Sequence, residues 1–212
     1  MQSAQLIKNR LLKKGKKVIA SKKDLYGYLS VDNDWLRPKN FKTKMIERFL
    51  NYPSFVLRKY LLYLRKQEYY INTAGKSKLK GLLGLYYERK KNTLGLRLGI
   101  EIGPNCFGKG LQIYHTGSII VNSAVKAGEN VKLHGSNCIG NNGKTEKVPR
   151  LGNNVDIGYG AVVIGDIVIA DNVTIGANAV VNRSILEEGC TVAGIPARII
   201  SKKLERNAEW II

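Results

Sequence analysis

A six-residue period in the second half of the chain limits its possible folds more than any other feature. Counted in sixes from Val121 to Ala193, eleven of thirteen positions are apolar, and Thr145 and Glu187 are the exceptions. The next residue is often glycine, and the fifth position of each hexad is usually small or β-branched. This period fits neither a free helix nor a single strand. It is typical of short parallel strands joined by tight turns, with three hexads closing one coil.

The first half of the chain shows helical patterns instead. Helices are predicted in residues 40–51, 53–70 and 77–95, where apolar side chains recur at helical spacing or Pro and Ser stand near a helix start. The predicted fold is therefore mainly β, a parallel β-helix preceded by a basic α-helical region. The predicted boundaries are 1–98 for the helical region, 99–200 for the β-helix and 201–212 for a C-terminal tail. We expect the first ~24 residues to be mobile or to form an amphipathic surface segment.

The basic residues are concentrated in the helical half. Residues 1–100 hold 24 Lys+Arg and 6 Asp+Glu, a net charge of +18, whereas residues 101–212 carry a net charge of +1. A segment with this excess of positive charge attracts phosphates, acidic glycans, lipid headgroups or nucleic acid. Tyrosines interleaved with Lys and Arg could stack on nucleic acid, but no nucleic-acid fold signature is present, so no nucleic-acid partner is expected.

The sequence also indicates the cellular location of the protein and the oxidation state of its cysteines. It has no apolar run long enough for a membrane span or a signal peptide, which favours the cytoplasm. The basic half could contact the anionic inner face of the cytoplasmic membrane. Cys106, Cys138 and Cys190 are scattered and odd in number, so reduced thiols are expected rather than a disulfide framework or zinc knuckle.

The hexad register slips around His115, one of two histidines in the chain. Ile113 and Val121 are eight residues apart, and Ile102 and Phe107 are five apart, where six would be regular. Two extra residues in a stacked coil bulge outward at a corner, which would lift His115 onto a side groove. An imidazole titrates near neutral pH and suits a general base for hydroxyl chemistry. A solvated turn histidine is the open alternative.

The hexads, the segment "IEIGPNCFGKGLQIYH…GSIIVN" and the ending "VAGIPARII" resemble hexapeptide-repeat acetyltransferases. The resemblance is strongest to the serine-acetyltransferase-like branch that includes capsular and other polysaccharide O-acetyltransferases. It implies a left-handed β-helix, a homotrimer and acetyl-CoA in the groove between neighbouring coils. It also implies that His115 is the general base and that Glu101 is the carboxylate that orients it.

Two departures from the serine acetyltransferase pattern bear on the acceptor. Tyr114 stands where the family has an aspartate before the base, and Val148 stands where it has a second histidine. These changes, and the suitability of tyrosine for stacking on a sugar ring, predict a sugar of a polysaccharide or its precursor as acceptor. His134 could contact the acceptor or the cofactor, or be inert. The alternatives are a serine O-acetyltransferase and a non-enzymatic β-helical scaffold or glycan-binding protein.

The resemblance also indicates where acetyl-CoA would lie. The loop of residues 141–147 would cover the pantetheine arm, small residues would let the arm approach the backbone, and cations after the last coil would meet the nucleotide phosphates. No metal is expected, because a three-histidine zinc site needs more ligands than the chain offers. The predicted cofactor-binding residues are Gly140, Asn141, Gly143, Lys144, Gly158, Tyr159, Ala177, Gly194, Arg198 and Lys202.

Overall fold

The computed structural model describes residues 18–75 and 77–202. The predicted mobility of the N-terminal segment therefore concerns residues that mostly lie outside the described part, as does most of the predicted 201–212 tail. Within these residues four helices come first, with a 3₁₀ turn at Asp34–Leu36 between the first two. They are α1 (Lys22–Leu29), α2 (Phe41–Phe49), α3 (Pro53–Thr73) and α4 (Lys78–Leu98).

Local capping explains where these helices begin. The Ser21 side chain accepts from the backbone N–H of Asp24 at α1, and Asn40 Oδ1 accepts from Thr43 N at 2.8 Å at α2. Pro53 occupies the first position of α3, where its missing N–H costs nothing. Helix α4 ends at Gly99, whose φ of +67° turns the chain into the first strand.

Fourteen short strands follow, arranged in three sheets. Sheet I contains β1, β3, β6, β9 and β12; sheet II contains β4, β7 and β10; sheet III contains β2, β5, β8, β11, β13 and β14. All pairings are parallel except β13 with β14. The strands are β1 (Ile100–Ile102), β2 (Gln112–Ile113), β3 (Ile119–Val121), β4 (Lys126–Ala127), β5 (Lys132–Leu133), β6 (Cys138–Gly140), β7 (Arg150–Leu151), β8 (Asp156–Ile157), β9 (Val162–Ile164), β10 (Val168–Ile169), β11 (Thr174–Ile175), β12 (Val180–Val181), β13 (Thr191–Gly194) and β14 (Ala197–Ser201).

The core consists of one apolar ladder per sheet, which confirms the predicted β-helix. The chain visits sheets I, II and III in turn, so each coil contributes one inward residue to each ladder. The predicted slips are also found, because Ile102, Phe107, Ile113 and Val121 are all buried. The ladders are Ile102–Val121–Ile139–Val163–Val181, Phe107–Ala127–Leu151–Ile169–Ile185 and Ile113–Leu133–Ile157–Ile175–Val192.

The regular count of six is wrong at three positions. Thr145 lies in an exposed loop, because the chain leaves the coil after Gly140 and returns to the ladder at Leu151. In the last coil the buried ladder residues are Ile185 and Val192, instead of the expected Glu187 and Ala193. The shortened turn after Val181 and the longer one after Ile185 keep the three faces stacked although the spacing changes.

A buried ionic cluster joins the helices to the first coil. Arg65 of α3 is 0% exposed and pairs with Asp32 at 2.7 Å and with Glu68 at 2.9 Å. Asp32 Oδ1 accepts from the backbone N–H groups of Gly110 and Leu111, and Glu68 Oε1 accepts from Asn105 N. These carboxylates satisfy backbone donors at the open end of the coil, which would otherwise be buried without partners.

Helix α3 covers the first rung of the β-helix, since its residues Leu57, Tyr60, Leu61 and Leu64 are buried in one cluster with Ile100 and Ile102. Burial alone would lower the pKa of Arg65, but Glu68 and Asp32 raise it above its usual value. The guanidinium therefore stays charged, and it also donates to the carbonyls of Phe107 and Gly108.

Within the described part of the chain, no helix is long and apolar enough to cross a membrane.

Candidate functional site

His115 lies at the corner where the chain passes from sheet III to sheet I, between β2 and β3. Its side chain is exposed, and in the described structure its ring makes no hydrogen bond or ion pair. The two-residue slip places it there, because Ile113 and Ile119 on either side are fully buried. The corner thus presents an imidazole whose two nitrogens are both available for chemistry.

The next rungs of the same corner hold Gly135 and Tyr159. A Cβ on Gly135 would lie 3.3 Å from His115 Cβ and 3.0 Å from the Tyr159 ring, so Gly135 leaves room for both side chains. Its φ of +125° is itself a conformation that favours glycine. The Tyr159 hydroxyl accepts from Ser136 Oγ at 3.0 Å. His115 and the predicted cofactor residue Tyr159 therefore flank one glycine at a single corner.

Tyr114 lies in a three-ring stack on the outer face of sheet III. Its ring is 4.6 Å from the ring of Trp35 on one side and 4.6 Å from the ring of His134 on the other, with interplanar angles of 20° and 13°. Asn33 brings Trp35 there by donating to Leu111 O and accepting from Ile113 N, which attaches the 3₁₀ turn to β2. Both faces of the Tyr114 ring are therefore covered.

His134 has the carboxylate partner that was expected for His115. His134 Nε2 lies 2.8 Å from Asp156 Oδ1, and the other carboxylate oxygen is 3.5 Å from Lys132 Nζ. A carboxylate on one ring nitrogen fixes the orientation of an imidazole and favours a single tautomer. The structure thus holds His134 by stacking and by a hydrogen bond, whereas the His115 ring is held by neither.

Glu101 lies on the outer face of sheet I, opposite Ile120 of β3. It lines a cleft of about 560 Å³ between α4 and sheet I, together with residues that include Lys91, Ser118 and Gly95. Lys91 Nζ donates to Ile102 O at 2.9 Å, and burial lowers the pKa of Lys91. The structure shows no hydrogen bond between Glu101 and His115, so their pairing stays a prediction.

The predicted cofactor residues divide between two corners that border sheet I. Gly158, Tyr159 and Ala177 follow β8 and β11 at the His115 corner, while Gly194 ends β13 on the last rung. Gly140, Asn141, Gly143 and Lys144 lie at the opposite edge of sheet I, at the end of β6 and in the loop before β7. Arg198 is exposed on β14, and Lys202 Nζ lies 3.2 Å from Glu187.

An apolar row runs from rung to rung along the outer face of sheet I, between these two corners. Ile120, Cys138, Val162 and Val180 are paired in register, and Ile120 is 50% exposed. A narrow, extended apolar group could therefore lie along the row with its reactive end at His115. Among the residues that the structure describes, no three His, Cys, Asp or Glu side chains are grouped to hold a metal ion.

Sequence reasoning missed Asp156 and Trp35. Asp156 could have been found, because it directly precedes a ladder residue, as Lys132 does, and therefore lies on the same outer face one rung away. Trp35 gave no such signal, since it reaches the site from the helical half through contacts of Asn33 that no period describes.

Known proteins resemble this chain over about half of its length. No family model matches the chain. Serine acetyltransferases of Helicobacter pylori (strain J99) and Synechococcus elongatus are 40% and 38% identical over 107 and 108 residues, about half of this chain and 62% and 44% of those proteins. The chain therefore spans only about half the length of the curated relatives it matches.

Solved structures show the same architecture. Soybean serine acetyltransferase apoenzyme has a TM-score of 0.62 at 22% identity, covering 84% of this chain and 70% of that one. A serine acetyltransferase in complex with CoA has a TM-score of 0.59 at 23% identity, covering 84% and 71%. The chain has the serine acetyltransferase fold. That fold is a left-handed parallel β-helix of hexapeptide repeats preceded by helices, as expected from the sequence.

The expectation of a sugar or polysaccharide-precursor acceptor is wrong. The relatives at 38–40% identity are named serine acetyltransferases, as are the structural neighbours described above. The structure shows why the argument from Tyr114 failed: the rings of Trp35 and His134 cover both of its faces, so none is free to stack on a sugar.

Proposed function

We propose that this chain is an acetyl-CoA-dependent serine O-acetyltransferase. The observation that supports this most directly is the exposed, unbonded imidazole of His115 at a corner beside the apolar row of sheet I. The names of the curated relatives and the CoA complex of a structural neighbour provide the acceptor and the acetyl donor.

In the proposed reaction His115 acts as general base. An alcohol is a weak nucleophile at neutral pH, so its proton must be removed as the oxygen attacks. The imidazole takes the proton of the serine hydroxyl while that oxygen bonds to the thioester carbonyl carbon. The carbon–sulfur bond then breaks, and the imidazolium returns the proton to the departing sulfur. O-acetylserine and the free thiol of coenzyme A result.

His134 is proposed as a positioning residue and not as the base. Its Nε2 is engaged by Asp156, and its ring is stacked on Tyr114, so it is less free than His115 to approach an acceptor. The pair would instead hold Tyr114, and through the backbone His115 beside it, in one place. Mutation of His134 should therefore affect the geometry of the site more than the proton transfer itself.

Glu101 is proposed to orient His115 once the site is assembled. It lies on the rung above Ile120 and faces the cleft that Ser118 also lines, three residues from His115. A carboxylate that orients a catalytic imidazole mainly affects turnover. We therefore expect Glu101→Gln to lower kcat without a comparable change in folding stability.

The active unit is proposed to be a homotrimer, in which a neighbouring subunit covers the exposed row of sheet I. The acetyl-CoA chain would then lie between the row and the partner, with the loop of Asn141, Gly143 and Lys144 over its pantetheine arm. This loop is stabilised by Asn141 and Asn142, whose side chains accept from the backbone N–H groups of Gly143 and Lys144.

The function is tested by thiol release from acetyl-CoA with purified protein and L-serine. His115→Ala should lower kcat by roughly 10²–10⁴-fold, the range of general-base catalysis. His134→Gln, the matched control, should lower it far less. If kcat falls equally in the two variants, neither histidine is identified as the general base. Unchanged thiol release in His115→Ala would contradict the mechanism. A wild-type protein that releases no thiol with serine would contradict the proposed function and favour a scaffold role.

A further inference from the structure

Helix α2 presents its apolar side to solvent. Its only buried side chain is Glu47, whereas Phe41 and Phe49 are 76% and 88% exposed and Met45 is 46% exposed. Ile46 is also exposed, as is Leu50 directly after the helix. An amphipathic surface helix normally buries its apolar side and exposes its charged side, so the reversed burial in α2 needs an explanation.

The orientation of α2 is fixed by an ion pair. Glu47 Oε2 accepts from Arg58 of α3, and Arg58 also donates to the carbonyl of Leu36. At 100° per residue, Phe41, Met45 and Phe49 span an arc of about 80° whose centre is roughly opposite Glu47. Rotation that buried the two phenylalanines would withdraw Glu47 from Arg58, so the fold holds the apolar arc outward.

The charges around this arc are all positive. Lys39, Lys42, Lys44 and Arg48 are exposed, and none of them makes an ion pair in the part of the chain that the structure describes. Glu47, the one acidic residue of the helix, is already paired with Arg58. The surface therefore combines aromatic and aliphatic groups with unpaired cations.

The positive charge limits which binding partner could cover the apolar surface of α2. A second copy that met this surface with its own α2 would bring the same cations face to face, and one that met it with another part of its helical half would also be basic, since residues 1–100 carry a net charge of +18. Residues 1–17 of the chain hold six Lys and Arg and no acidic residue, so they would be repelled as well. The complement must be anionic, and it must also accept two phenylalanines that the described part of the chain leaves exposed.

We infer that α2 is a membrane-contact surface for anionic phospholipid. A helix of this composition lies in the plane of the interface with its apolar side between headgroups and acyl chains, while its Lys and Arg contact the phosphates. Lys42, which lies just outside the apolar arc beside Phe49, can extend its ammonium group to the headgroups while its stem stays in the apolar layer. This inference does not depend on the proposed reaction.

The test is co-sedimentation of the full chain with vesicles of phosphatidylcholine and with vesicles that also contain phosphatidylglycerol. We expect binding to the mixed vesicles, little binding to phosphatidylcholine alone, and weaker binding at high salt. The Phe41→Ser/Phe49→Ser variant should bind at least ~10-fold more weakly, because two aromatic side chains no longer leave water. Both side chains are exposed, so the far-UV spectrum and unfolding midpoint should be unchanged.

The control is Leu79→Ser/Leu82→Ser on α4, where two leucines are 68% and 64% exposed beside Lys78 and Lys80. This variant should bind the mixed vesicles as the wild type does. In a second measurement, Phe49→Trp should shift its emission to the blue with mixed vesicles only. The inference is overturned if the wild type does not bind the mixed vesicles, which is the result expected if the surface binds an acidic protein instead. It is also overturned if both double variants lose binding equally, or if the phenylalanine variant binds normally because residues 1–17 suffice.

Discussion

Gly135 sets the distance between the candidate base and its neighbour on the next rungs. It is buried, its φ is +125°, and its missing Cβ leaves the space that His115 Cβ and the Tyr159 ring occupy. A side chain there would have to displace one of the two groups, and each borders the apolar row. At the scale of single residues, the site therefore depends on the missing side chain of Gly135 as well as on the imidazole of His115.

Gly135→Ala should destabilise the fold by about 1–3 kcal/mol and lower kcat, since it adds both backbone strain and crowding at His115. Gly117→Ala is the matched control, because Gly117 has a φ of +107° but only Ser136 Oγ, at 3.8 Å, near its absent Cβ. Urea unfolding and thiol release measure both effects. Equal loss of activity in the two variants would mean that crowding at His115 plays no part.

Tyr28 gives a prediction for alkaline pH. Burial raises the pKa of Tyr28 to about 12, although the nearby Arg65 lowers it in part. The folded state therefore keeps the phenolic proton after the unfolded chain, with a pKa near 10, has lost it. The stabilising contribution is complete below pH ~10 and is lost as the pH rises through about 12.

Tyr28→Phe removes this ionisation while preserving the ring that faces Arg65 at 4.8 Å. Between pH 10 and 12 the unfolding free energy of the wild type should fall more steeply than that of the variant, by roughly 2 kcal/mol at most. Urea titrations at several pH values measure the difference. Parallel pH profiles for the two proteins would contradict the raised pKa.

At the scale of elements, the fold depends on the attachment of α3 to the first coil. Arg65→Met would leave the buried Asp32 and Glu68 carboxylates without their shared cation, so we expect a loss of about 3–5 kcal/mol. Lys59→Met, an exposed change on the same helix, should cost less than ~1 kcal/mol. Thermal and urea unfolding of the two variants tests this, and similar midpoints would show that the cluster contributes little.

The hexads made most of the β-helix predictable because each inward position repeats the same environment. Ile113, Leu133, Ile157 and Ile175 are buried as the period requires, and the slip at His115 was visible as a count of eight. Prediction failed where a rung is not built from a hexad, as at the exposed Thr145 and in the last coil at Ile185.

The contacts between the two halves could not be read from any period. Arg65 is a fully buried cation whose partners Asp32 and Phe107 are 33 and 42 residues away, and its sequence neighbours give no sign of this. The same is true of Trp35 on Tyr114. His115 was identifiable because a period surrounds it, whereas the stack beside it depends on long-range contacts of Asn33.

At the scale of the whole molecule, we propose that the exposed outer face of sheet I is where a second subunit completes the site. The row of Ile120, Cys138, Val162 and Val180 lies between the His115 corner and the loop after β6. A single chain leaves Ile120 half exposed and His115 open to water. An acyl-transfer site needs water excluded from the thioester, so a second subunit over this face would both bury apolar area and protect the reaction.

We therefore expect the wild type to have three times the chain mass of 23.6 kDa by light scattering after size exclusion. Ile120→Lys should shift it to the monomer and abolish thiol release, because a charge cannot be buried at the interface without a partner. Thr174→Lys, on the outer face of sheet III, should leave mass and activity unchanged. A fully active monomer, or a trimer that tolerates lysine at position 120, would show that this face is not the one through which the subunits complete the site.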